Sequence, residues 1–347
     1  MKDPANELVE LTESIRQVHF GYRAVAEQFP PQKLLGWVVL AEKHGFEFSM
    51  VSDHFHPWFH DGGHASFAWT WLASAAERTK TIKLGTGVTT PIYRYHPALI
   101  AQAFATLGVM YPGRISLGLG TGEAMNEVPL SGKWPNFGER LARLEESLKL
   151  IRALWESEDF VNLKGEYYVL KDAHLYERPS IEIPIYVAAS GSRTAYLAGT
   201  YADGLYTTPG TDEVVTQNVL LPFRDAAKKM GRNYNDLRKL IMLNISWDID
   251  HEKALNSILR WRATAYPGVF SKGIWDPRKL DQIAKSVKAS DIAKRWIVCT
   301  TLEECIPEIE RYMRLGFDEI EIRSCSPDEE IFIKKFGKEI LSYFNKE

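Results

Sequence analysis

An α/β barrel is the fold class this sequence predicts, and three observations predict it. Short β-rich segments alternate with amphipathic helical patterns along 347 residues, the signature of a parallel sheet with crossover helices. The segments number eight, and the length suits a (β/α)8 barrel of about 250 residues carrying insertions. Several strands run out into ionisable or glycine-rich clusters, and the C-terminal mouth of a barrel is where such folds place their chemistry.

The strands are expected over residues 18–23, 48–52, 82–87, 115–120, 185–189, 204–207, 241–248 and 319–323. Helical patterns lie between them, for instance over 32–44, 67–75, 97–109 and 138–155. Two stretches break the rhythm and read as insertions at the mouth. Residues 156–179 form a hairpin-like excursion with Tyr167-Tyr168-Val169-Leu170 as its strand, and 261–290 is irregular and rich in aromatics, Gly and Pro. Long aperiodic segments inside a compact domain are commonly pocket walls or lids. No linker splits the chain, so residues 1–347 are expected to form a single domain.

Bulk properties narrow the function. A net charge of −3 lacks the basic excess of a nucleic-acid binder. The three cysteines, Cys299, Cys305 and Cys325, make no disulfide framework and fit a reducing cytoplasm. No apolar run approaches a membrane span, and the segment from Met1 to Glu7 lacks a signal-peptide apolar core.

After the second strand comes Val51-Ser52-Asp53-His54-Phe55-His56-Pro57-Trp58, then Phe59-His60-Asp61-Gly62-Gly63-His64. A metal site is one reading of His54, His56, His60 and His64. Against it, His54 and His56 point to opposite faces of an extended chain, and Pro57 and Gly62-Gly63 turn the backbone. Loop capping suits His56, His60 and His64; no metal is expected. Proton transfer suits His54, since imidazole titrates near neutrality and the neighbouring Asp53 can orient it.

The fourth strand ends in Gly118-Leu119-Gly120-Thr121-Gly122-Glu123-Ala124-Met125-Asn126-Glu127. Its glycines let a flat ligand approach the backbone, but their spacing is not the dinucleotide fingerprint. Glu123 is either a solvated turn residue or a proton-transferring carboxyl. The run Ala188-Ala189-Ser190-Gly191-Ser192-Arg193-Thr194 opens a helix. It reads equally as an anion site and as a plain cap by Ser190 or Ser192. Among the later cations, Arg278 and Lys294 read as solvated, whereas Arg295 precedes Trp296-Ile297-Val298 and could bind an oxyanion.

Together these residues resemble the coenzyme F420-dependent dehydrogenases of the bacterial-luciferase-like superfamily. The likeness is greatest to the F420-dependent glucose-6-phosphate dehydrogenases, with a secondary-alcohol dehydrogenase branch close by. It runs from Gly21-Tyr22-Arg23-Ala24 through Ser52-Asp53-His54-Phe55, Arg94-Tyr95, Gly120-Thr121-Gly122-Glu123-Ala124 and Ala293-Lys294-Arg295-Trp296.

The resemblance implies a luciferase-like barrel that binds coenzyme F420 and transfers a substrate hydride to C5 of its deazaflavin. It implies His54 as base, Trp58 beside the substrate and Glu123 assisting proton transfer. Asp53, Thr90 and Asn126 would hold the cofactor, Gly87-Val88 matching a non-proline cis peptide against its ring. Ala189, Ser190, Gly191 and Arg193 would take its phosphate, and Glu27 would sit by the substrate. A homodimer is implied too.

The chain departs from the sugar-phosphate pattern at the phosphate clamp. Arg295 matches its arginine, but Thr211 and Ser271 stand at the two lysine positions. Lys272 replaces a histidine one residue along. Charged hydrogen bonds contribute roughly 1.5–3 kcal/mol each, so the exchange either leaves a two-point clamp of Lys272 and Arg295 or marks a pocket for an uncharged alcohol. A flavin-dependent monooxygenase and a non-catalytic deazaflavin carrier are the more distant readings.

Overall fold

The computed structural model describes residues 17–345; the segment from Met1 to Glu7 lies outside them. Eight parallel strands close into a barrel: β1 (His19–Tyr22), β2 (Phe48–Val51), β3 (Lys83–Thr86), β4 (Ile115–Leu119), β7 (Ile185–Ala188), β8 (Gly204–Thr207), β9 (Arg238–Trp247) and β11 (Glu319–Ser324). Closure comes where β11 pairs with β1, in the register Phe20↔Ile320 and Tyr22↔Ile322. The expected strands are all present, within a few residues at their ends. β9 begins three residues before the expected 241, because Gly204↔Arg238 pairing with β8 extends it.

Two features depart from the expected order. A short strand β10 (Ile297–Cys299) pairs with the end of β9, so the main sheet has nine strands. Its three residues are too few to carry a period in sequence. In the excursion after the helix Phe137–Glu156, β5 (Val161–Lys164) and β6 (Val169–Ala173) pair antiparallel. Tyr167 and Tyr168 precede β6 instead of starting it. Their amides, with that of Glu166, donate to the Glu146 carboxylate, which pins the hairpin to the helix.

The strands read as apolar runs because both faces are covered. β2 and β8 are buried along their whole length. Inside the barrel Phe48, Met50, Tyr186, Tyr206 and Leu240 pack together. Glycine makes room for the rings: a Cβ on Gly21 would lie 2.2 Å from the Phe48 ring. β11 alternates, with Ile320 and Ile322 in the core beneath the helices and Glu319, Glu321 and Arg323 on the opposite, inward face.

A second core caps the mouth. Val25, Trp58, Phe59, Met125, Trp261 and Trp296 cluster there. Trp261 lies in the 3-10 helix Leu259–Ala265, and the helices Pro277–Ala284 and Ala289–Ala293 follow it. The irregular stretch is thus a wall over the barrel mouth.

Two buried glutamates support the fold in a pH-dependent way. Tyr186 donates to Glu319 at 3.0 Å and Tyr22 to Glu329 at 2.7 Å. Burial raises both carboxyls to about 7, with Asp318 adding to the rise at Glu319. A carboxyl whose folded pKa exceeds its unfolded value stabilises the fold fully below about pH 4.5 and loses that contribution as pH rises through about 7. Glu329→Gln should therefore flatten the decline in unfolding free energy between about pH 5 and 7.5 by on the order of 3 kcal/mol. Urea denaturation across that range reads this, and an unchanged slope would contradict it.

Candidate active site

The β2 strand ends at Val51, and the chain then runs extended across the mouth so that Ser52 and His54 face one way and Asp53 the other. The alternation separates two tasks. Asp53 enters a buried polar cage: Thr89 donates to its Oδ2 at 2.7 Å, Tyr95 to its Oδ1 at 3.2 Å, and Arg94 pairs with Oδ1 at 2.9 Å. Arg94 also reaches the Asp53 carbonyl at 3.1 Å. Just beyond, Glu127 accepts from the Tyr93 and Arg94 amides, each at 2.9 Å, and Asn126 accepts from the Phe55 amide at 2.8 Å.

His54 faces the mouth. Its Nε2 lies 3.4 Å from Glu27 and 3.5 Å from Glu123, while its Nδ1 is 3.3 Å from the His56 carbonyl. A carbonyl only accepts, so Nδ1 is placed to donate to it, while Nε2 is turned to the two carboxyls. The flanking carboxyls differ. Burial pushes Glu27 upward, but His54, the Ser52 hydroxyl, Arg23 and Arg323 outweigh it and hold Glu27 below the ordinary range. Burial pushes Glu123 upward, Glu27 adds to this, and His54 and the arginines do not overcome it. Two carboxyls on one imidazole with affinities driven apart is an acid–base arrangement.

The other histidines disperse. His56 Nδ1 meets the Trp275 carbonyl at 3.2 Å, the His60 amide donates to Asp281 at 3.1 Å, and the His64 amide donates to the Glu27 carbonyl at 3.0 Å.

Beneath His54 lies a network the sequence reading did not assign to the site. Arg23 donates to the Tyr206 hydroxyl at 2.9 Å and to the Gly87 carbonyl, and it lies 3.6 Å from Glu321. Tyr206 in turn donates to Glu321, whose other oxygen accepts from the Met50 amide at 3.1 Å. Burial drives the Tyr206 phenol far above its usual range. A signal existed: Glu319, Glu321 and Arg323 alternate with isoleucines in a strand, which puts charges inside the barrel.

The Gly87-Val88 bond is cis, as the resemblance implied. β3 and β4 press their ends together here. A Cβ on Gly120 would lie 2.7 Å from Val88 Cγ2, and one on Gly122, at φ +74°, would lie 2.4 Å from Thr90 Cγ2. At the start of the helix Ser192–Tyr201, Gly191 is the N-cap with no side-chain cap bond. Neither Ser190 nor Ser192 caps it, which overturns the plain-cap reading. Arg193 stacks 5.2 Å from the Phe137 ring centre.

The clamp positions are dispersed by local bonds. Thr211 N-caps the helix Asp212–Val215, accepting from Val214 at 3.3 Å. Ser271 donates to the Gly268 carbonyl at 3.0 Å. Lys272 stacks 4.6 Å from the Tyr266 ring centre. Arg295 donates to the Thr264 carbonyl at 3.0 Å and borders, with Tyr266 and Lys294, a cavity of about 510 Å³. Trp58, 6 % exposed, meets Phe270 edge-on with ring centres 5.1 Å apart.

Asp53→Ala would strand Arg94, whose side chain is 6 % exposed. Breaking one partner of a buried pair costs about 3–5 kcal/mol. Chemical denaturation should show a loss of that size, and a loss under about 1 kcal/mol would contradict the cage.

Comparison with known proteins agrees with this geometry. The family described as Luciferase-like monooxygenase matches residues 15–319. An F420-dependent glucose-6-phosphate dehydrogenase of Nakamurella multipartita is 44% identical over 93% of this chain and 96% of its own length. One from Microbacterium testaceum is 43% identical over 95% of this chain and 98% of its own. Among solved structures, an F420-dependent secondary alcohol dehydrogenase in complex with an F420-acetone adduct superposes with a TM-score of 0.91. It is 36% identical and aligns over 94% of this chain and 99% of its own. The chain therefore belongs to the luciferase-like family, in its branch of F420-dependent dehydrogenases acting on a CH–OH group.

Proposed function

We propose that the protein is an F420-dependent dehydrogenase that oxidises the C1 hydroxyl of a sugar 6-phosphate of the glucose type. The observation that carries this reading is His54, its Nε2 set between Glu27, held below the ordinary carboxyl range, and Glu123, pushed above it. Coenzyme F420, when bound, supplies a hydride acceptor at C5 of its deazaflavin. The residues present fit such a group. Val88 lines the mouth beside glycines where a Cβ would collide, and a Cβ built on Gly191 would meet nothing within 4 Å beyond its own chain neighbours.

Asp53, Gly87, Val88, Thr90 and Asn126 would border the ring. Ala189, Ser190, Gly191 and Arg193 would take the phosphate at the uncapped helix start. His54 takes the substrate hydroxyl proton at Nε2, and Glu27 stabilises the imidazolium that forms. Glu123, its carboxyl pushed upward by burial and by Glu27, would assist proton transfer at the deazaflavin ring. Trp58 walls the substrate and excludes water, and Lys272 and Arg295 form what remains of the clamp. We also place the protein in the cytoplasm, as a single-domain homodimer acting on a small molecule and not on nucleic acid or membrane. Among the described residues, no helix is long and apolar enough to cross a membrane.

A secondary-alcohol substrate is the second reading, favoured by Thr211 and Ser271, which are engaged in local turns where the clamp would need cations. Anaerobic bleaching of oxidised F420 separates the two. Bleaching with glucose 6-phosphate supports the leading reading; bleaching with 2-propanol alone moves the enzyme to the alcohol branch. Oxygen consumption with reduced flavin would point instead to a monooxygenase, and tight F420 binding without turnover of any of these to a carrier.

His54→Ala should cut turnover by about 10²–10⁴-fold while F420 affinity, read by fluorescence quenching, stays within a few-fold; wild-type turnover would remove His54 as the base. With Glu123 as a proton donor whose carboxyl is pushed upward by burial and by Glu27, turnover should show a declining limb as pH rises above the ordinary carboxylate range. Glu123→Gln should abolish that limb of the pH–kcat profile, and a persisting limb would reassign it.

A further inference from the structure

Arg323 is inside the barrel mouth and has no carboxylate within ion-pair distance among the described residues. It sits on β11 beside Asn244 on β9, the two in register. Their chain neighbours Ile322, Leu243 and Ile245 belong to the outer core, so both side chains face inward. The Arg323 guanidinium stacks 3.8 Å from the Trp261 ring centre and 5.2 Å from that of Trp296. Those indoles share one cluster with Trp58, so the cation is set in the wall over the barrel mouth. Its field reaches Glu27 and Glu123.

Asn244 is equally incomplete. Its Nδ2 donates to the Arg295 carbonyl at 3.1 Å, whereas its Oδ1 is buried without a partner. A half-buried guanidinium held by its faces keeps its edge N–H groups for another acceptor. A buried amide oxygen without a donor is costly unless a ligand satisfies it. The two needs are opposite in sign: one group must donate, the other must accept. A hydroxyl answers both, accepting from Arg323 and donating to Asn244.

We propose that Arg323 and Asn244 form a hydroxyl-reading pair that selects polyhydroxylated substrates over simple alcohols at this mouth. The proposal rests on the sugar-substrate reading above and assigns it a specificity determinant. It also gives the lost clamp lysines a counterpart: recognition moves from the phosphate towards the ring hydroxyls. A site built to hydrogen-bond a hydroxyl rejects an analogue without one far more strongly than an apolar pocket can.

Calorimetric titration of the protein with glucose 6-phosphate, free glucose and inorganic phosphate tests this without any turnover. Arg323→Met keeps the stem between the indoles, and Asn244→Ala is an independent probe should Arg323→Met fail to fold. Each should weaken glucose 6-phosphate and free glucose by roughly 10- to 100-fold, with inorganic phosphate affected less than about threefold. Equal losses for sugar and inorganic phosphate would assign Arg323 to the phosphate and overturn the proposal. Unchanged sugar affinity in both variants, or no sugar binding by the wild-type protein, would also overturn it. Sugar binding lost in the variants with no F420 bleaching in the wild type would keep the pair and reject the dehydrogenase reading.

Discussion

A guanidinium in the barrel interior is the constraint on which the site depends. Arg23 leaves β1 and reaches three other segments: the Gly87 carbonyl after β3, Tyr206 on β8 and Glu321 on β11. Burial lowers the tendency of this group to hold its charge, and Tyr206, Glu321, Glu27 and Glu123 more than restore it. A buried charge is tolerable only when its hydrogen bonds are met. The network therefore fixes the relative positions of strands that close the barrel on opposite sides. It also forms the floor above which Glu27, His54 and Glu123 stand.

Two-residue periodicity then divides the labour at the end of β2. Ser52 and His54 share one face and Asp53 takes the other. Ser52 accepts from the Ala26 amide at 2.9 Å and donates to Glu27, which orients the carboxylate beside His54. Asp53 instead clamps Arg94, Tyr95 and Thr89, holding the segment after β3 against the β2 end. One residue of slip would exchange His54 for its scaffold. The grouping of Glu27, His54 and Glu123 thus depends on register as much as on residue type.

Charge balance explains how three ionisable groups share one site. Both carboxyls feel His54, Arg23 and Arg323, but Glu27 also accepts from Ser52, whereas Glu123 feels Glu27 itself. The Ser52 hydrogen bond adds to the cations in holding Glu27 below the ordinary carboxyl range, and burial with repulsion from Glu27 pushes Glu123 above it. The second core over the mouth adds the low-polarity wall that strengthens these interactions. It is built from Trp58, Trp261 and Trp296, which the sequence places far apart.

Much of this was legible in the chain. The alternation of apolar strands and amphipathic helices specified the barrel because local burial patterns follow the 2.0 and 3.6 periods. The Asp53-His54 pair, Glu123 and the glycines after β4 marked the mouth, because polar residues at strand ends have few purely structural uses there. The proximity of Glu27 to His54 was implied by family resemblance, not by spacing. What only the tertiary structure decided is which groups meet across the barrel. Arg23 with Tyr206 and Glu321, Asp53 with Tyr95, and Arg323 beside Asn244 join residues distant in sequence, and no local period encodes such contacts. The capping of the helix after β7 and the fate of Thr211 and Ser271 were likewise open, since serine and threonine serve caps, turns and ligands equally until the backbone geometry is set.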